Sequence, residues 1–115
     1  MLRRPSPAAL VFPLLLLAAA CSDKRDPITI NGGTVTVDNY TPHEWRNVMI
    51  TVNDHFHGGA PRLAPGSRLT APLTQFLTAH GQRFSIERQS VFKVEVTATD
   101  DAGQPVKLQW DISRR

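Results

Sequence analysis

Alternation constrains this chain more than any other feature. Thr34-Val35-Thr36-Val37-Asp38, Val48-Met49-Ile50-Thr51-Val52 and Phe92-Lys93-Val94-Glu95-Val96-Thr97-Ala98 repeat with a period of two. Successive side chains on an extended strand point to opposite faces, so this period fits a strand with one buried face and does not fit a helix. In the last run Phe92, Val94, Val96 and Ala98 share one face while Lys93, Glu95 and Thr97 share the other. One side of that sheet is therefore expected to meet water.

Turn chemistry separates the runs at short intervals. Asn31-Gly32-Gly33, Asn53-Asp54, Gly58-Gly59, Pro65-Gly66, His80-Gly81 and Asp100-Asp101-Ala102-Gly103 supply the glycines and short polar side chains that tight turns need. Further extended segments are then expected at 56–63, 67–71, 83–87 and 106–110. About seven short strands point to an all-β fold, a small antiparallel sandwich. The one helix-like spacing, Leu73, Phe76 and Leu77, follows Pro72 and precedes Gly81, so a short crossover plugging one end of the core is expected there. Counting in twos puts Trp45 and Met49 opposite the face shared by Val48, Ile50 and Val52, unless a bulge near Asn47 reverses the phase. Trp110, alternating with Leu108 and Ile112, is expected in the core.

The N-terminus has a different grammar. Arg3 and Arg4 precede an apolar stretch at 8–20, broken only by Pro13, and Ala18-Ala19-Ala20 then lead into Cys21, the single cysteine of the chain. A basic start, a short apolar middle and small residues before a cut make a secretory signal, expected to be removed. A membrane-spanning helix needs ~20 apolar residues, and this run is shorter and ends in Ser22-Asp23-Lys24-Arg25-Asp26. Removal of 1–20 would leave 95 of the 115 residues, arranged as a tether at 21–27 and one domain at 28–115. With no cysteine pair to staple it, such a domain depends on packing alone.

Ala18-Ala19-Ala20-Cys21 resembles the lipobox of bacterial lipoproteins, with Leu17 one place further out than the leucine that pattern prefers. The same alanines satisfy the small-x-small rule of ordinary signal cleavage, and either route leaves Cys21 as the first residue. The resemblance implies a diacylglyceryl thioether on Cys21 and an amide-linked acyl chain. At ~0.8 kcal/mol per buried methylene, two or three chains anchor a protein stably where one binds marginally. It also implies a place at the bacterial cell envelope, with Ser22 favouring the outer membrane, facing the periplasm. The body of the chain is similar to immunoglobulin-like or fibronectin-III-like modules. That resemblance rests on Trp45 leading into Val48-x-Ile50-x-Val52-Asn53, the Leu63-x-Pro65-Gly66 turn and the paired final strands.

Charge argues against nucleic acid. The formal +3 comes from 13 basic and 10 acidic residues, and losing Arg3 and Arg4 reduces it to +1. The remaining Arg and Lys are scattered among acids and turns and form no basic face.

Asp54-His55-Phe56-His57 is the best candidate for chemistry. On a strand His55 and His57 share a face and can present two imidazoles to zinc or copper(II), with His43 or Asp54 as third ligand. The competing reading makes them solvated edge residues beside the Gly58-Gly59 turn. No Gly-x-Ser-x-Gly elbow, His-Glu-x-x-His pair or phosphate loop is present, and Asp100 and Asp101 suit a turn, so no catalysis is expected. An exposed Trp45, with Tyr40 or Phe56 nearby, would instead stack on a sugar or anchor a protein, while a buried Trp45 would close one end of the core. The expectation is a membrane-anchored, non-catalytic binding module with an envelope protein or glycan as partner. The alternative is an extracytoplasmic metal-binding protein. No cofactor is expected beyond the covalent lipid.

Overall fold

A computed structural model describes residues 25–114; the signal segment, Cys21 and residues 22–24 of the tether lie outside the described residues. Seven strands form in chain order: β1 (Ile28–Asn31), β2 (Thr34–Asp38), β3 (Trp45–Val52), β4 (Phe56–Leu63), β5 (Arg68–Pro72), β6 (Lys93–Asp100) and β7 (Pro105–Asp111). They make two antiparallel sheets, ordered β1-β2-β5 and β4-β3-β6-β7, packed as the expected all-β sandwich. Among the described residues no helix is long and apolar enough to cross a membrane.

Local chemistry sets the hairpins. Gly32 stands at φ 62° at the first central position of the β1–β2 turn, where a two-residue hairpin loop of the II′ kind requires glycine. Between β3 and β4, Asn53 (φ 52°) and Asp54 (φ 66°) are both left-handed, and the His55 N–H bonds the Val52 carbonyl at 3.1 Å. That is a I′-type turn, built from two residue types that tolerate such backbone. It folds β4 directly back on β3. A constant-type immunoglobulin domain would instead place its fourth strand on the opposite sheet.

The phase question at Trp45 is answered by a bulge. Between Arg46 and Met49, β3 gains one residue against β6, and Asn47 takes φ 53°. Trp45 therefore shares the inner face with Val48, Ile50 and Val52, and all four are buried. β4 stays in step with β3 across the irregularity, and its own inner face jumps from Ala60 to Leu63 past Pro61. Proline, lacking an N–H, fits this place on an edge strand.

The core lies between the sheets. Val35, Val37, Ile50, Val52, Val94 and Val96 are fully enclosed, and each buried aliphatic side chain of this size stabilises by ~1.5–3 kcal/mol. Leu73 and Phe76, from the 3-10 turn Leu73–Gln75 and its end, plug the core as the spacing suggested, whereas Leu77 is exposed and bridges His57 instead. One expected strand is absent. Residues 83–87 form no strand: only Arg83 makes a bridge, to Leu77, and Phe84 turns inward. Ser85 accepts backbone bonds from Arg88 and Gln89, and its N–H bonds the Gln89 side chain, a local network that competes with strand pairing. Ile28–Asn31, at the expected start of the domain, brings the strands among the described residues to seven. Ile112 lies 53% exposed beyond the end of β7, so the apolar alternation outlasts the sheet that would have covered it.

Candidate functional site

The histidines fall into two places. His43 precedes β3, and its Nδ1 lies 2.8 Å from an Asp101 carboxylate oxygen. That hydrogen bond, joined by the Glu44 backbone N–H, holds the Asp101 carboxyl below its ordinary range. His55 and His57 follow β3, whose eight residues at ~3.3 Å each put roughly 20 Å between the two ends. His43 is thus not brought to them. His80 is: it lines one cleft with His55, His57 and Asp54, because Leu77 and His57 exchange backbone hydrogen bonds at 2.8 and 3.2 Å and dock the following turn on β4. Asp54 is held by Lys93 at 2.9 Å, which raises the lysine's pKa. Among the described residues no group of three or more His, Cys, Asp or Glu side chains is placed to hold a metal ion.

The aromatic candidates separate as well. Phe56 is buried at the His55 end, edge-on to Phe84 at 5.1 Å. Trp45 is 2% exposed, out of reach of a stacked sugar ring, while Tyr40 is 40% exposed beside it. These two line a cleft of about 280 Å³ at the Trp45 end, shared with Arg25, Pro27, Asp38 and Leu108.

Two polar devices build that end. Asp38 and Arg68 stand opposite each other on β2 and β5, and the arginine holds the carboxylate with two bonds of 2.8 and 3.3 Å. The Tyr40 hydroxyl adds a third, at 3.3 Å. Such forked contacts carry both energy and orientation. Asn39, with no exposed surface, donates to the carbonyls of His43, Leu63 and Ala64 and accepts from the Thr41 N–H and hydroxyl. It ties the β2–β3 connection to the end of β4 and positions Tyr40. Asn53 does the same at the far end, linking to Ser90, Phe92 and Lys93.

Against this satisfaction one group stands out. The Trp45 indole N–H is buried and has no acceptor among the described residues. A buried donor left unpaired costs about 1–3 kcal/mol. Arg25, lying 4.0 Å over the Tyr40 ring, has no ion pair among the described residues either.

Reading the sequence missed Arg25, the Asp38–Arg68 pair, Asn39 and His80. Pairing across neighbouring strands depends on register, which one sequence does not display; His80 carried only a turn signal. Cys21 lies outside the described residues. Comparison of the chain with protein-family models, with curated proteins and with solved structures finds no match.

Proposed function

We propose that this chain is a bacterial envelope lipoprotein whose sandwich serves as a non-catalytic binding module. The observation that carries the reading is the position of its single cysteine, directly after Ala18-Ala19-Ala20 and shortly before β1 begins at Ile28. Acyl chains on Cys21 would restrict the sandwich to a layer within reach of residues 22–27, which raises its local concentration for membrane-borne partners. Outer-membrane placement facing the periplasm is the part of the proposal that rests on Ser22. The partner is an envelope protein or other envelope component, met through the Trp45 end or an exposed strand edge.

Fractionation tests the anchor. The wild-type chain should stay with membranes through an alkaline wash and enter detergent, and Cys21→Ser should lose this. Wild type released by the wash would overturn the reading.

A second reading, a zinc- or copper-binding protein, rests on the His55-x-His57 spacing alone, since His80 shares their cleft without completing a metal-holding group among the described residues. Equilibrium dialysis with each metal separates the two: stoichiometric uptake lost in His55→Ala and His57→Ala supports the metal protein, and no uptake removes it.

A further inference from the structure

We infer that the cleft at the Trp45 end is an oxyanion site, and that its ligand is the phosphate of a lipid headgroup. Two of its residues carry donors without a hydrogen-bond partner among the described residues. Arg25 offers a guanidinium without an ion pair, and Trp45 an indole N–H without an acceptor, each among the described residues. The acceptors nearby are engaged: Asp38 receives Arg68 and the Tyr40 hydroxyl, and the Thr41 hydroxyl accepts from the His43 N–H while donating to Asn39 and the His43 carbonyl.

A ligand entering here finds two donors without partners, whereas the Asp38 carboxylate beside them already receives three hydrogen bonds. A sugar hydroxyl needs both a donor and an acceptor, and an oxyanion needs donors only. Charge is compatible, because Arg68, outside the lining, already neutralises Asp38 and leaves Arg25 as the uncompensated charge of the lining. The apolar members, Pro27, Leu108 and the face of Tyr40, suit the glycerol and acyl carbons that follow a lipid phosphate.

The choice of a lipid over free phosphate rests on the lipoprotein reading. Arg25 is four residues from Cys21, and an extended chain covers at most ~3.6 Å per residue, so an acylated Cys21 would hold the cleft within about 15 Å of the bilayer surface. Tyr40 and Arg25 are exposed at the rim; Tyr40 is anchored through its hydroxyl to Asp38, whereas Arg25 rests on the ring by a stacking contact, so it is the Arg25 side chain that has to swing aside to admit a phosphate to the buried indole N–H.

The test is a titration of the purified mature chain in detergent, following the Trp45 indole N–H by NMR, with Trp45→Phe used to assign it against Trp110. Dihexanoylphosphatidylglycerol should move the resonance saturably. Arg25→Gln should weaken that about tenfold, as loss of one charge-assisted bond implies, and Arg83→Gln should not. Inorganic phosphate alone, saturating as tightly, would uphold the oxyanion site and assign its source to the free ion. Equal binding of dihexanoylglycerol, which lacks the phosphate, would overturn the inference, as would a response to glucose in place of phosphate or no saturable response at all. An unmodified Cys21 would defeat the anchor and leave the titration readable, since neither probe nor readout involves that residue.

Discussion

Asn39 shows how much of this sandwich depends on single polar residues. Its amide serves three carbonyls and two donors of Thr41 while lying fully buried. Asn39→Ala removes all five bonds and strands the carbonyls they served, so unfolding in urea should show a loss of about 3 kcal/mol. Asp101 gives a pH-dependent counterpart. Its carboxyl is held below the ordinary value by His43, so the stability it contributes is present above that ordinary value. The contribution is lost as pH falls through the depressed one. The Asp101 side-chain carbon, followed by NMR, should titrate below a free aspartate in the wild type and return toward it in His43→Ala. Neither role was legible beforehand, because the partners of Asn39 at Leu63 and Ala64 and of His43 at Asp101 are distant in sequence. Asn53-Asp54 was legible, since a turn is a local event that residue type alone can announce.

Strands were read well where both faces were distinct. β2, β3 and β6 carry the alternation over several residues, and burial follows it, with Val94 and Val96 enclosed while Thr97 faces water. Residues 83–87 misled because Phe84 and Ile86 alternate with polar neighbours as a strand would, although Ile86 lies exposed, whereas the expected start of the β-rich domain at Ile28 coincides with β1. The phase at Trp45 needed the bulge, foreseeable as a condition at Asn47 and decided only by pairing with β6. The paired irregularity of β3 and β4 has its own weak point at Gly59, where a Cβ would lie 2.0 Å from the Val48 carbonyl oxygen. Gly59→Ala must push the two strands apart and should destabilise by about 3 kcal/mol. Gly66→Ala meets nothing within 4 Å but holds φ 73°, and should lose only ~1 kcal/mol, the ordinary strain of left-handed backbone. A chemical-denaturation comparison of the two variants checks this order.

At the scale of the whole molecule, a small sandwich without a disulfide is tied off by a buried asparagine at each end, and it begins at Ile28, close behind the lone cysteine. Its fold class was legible because turn spacing and strand period agree along most of the chain. The Trp45 cleft was not, since it is assembled from residues 25, 27, 38, 40, 41, 45 and 108, which only the closed sandwich brings together. The central claim concerns Cys21, and intact mass spectrometry of the protein extracted from membranes tests it most directly. The mass should correspond to a chain starting at Cys21 plus a diacylglyceryl group and an additional acyl chain, and trypsin should release the modification on the peptide that ends at Lys24. A mass matching residues 21–115 with a free thiol, or matching the uncleaved 115 residues, would contradict the proposed anchor.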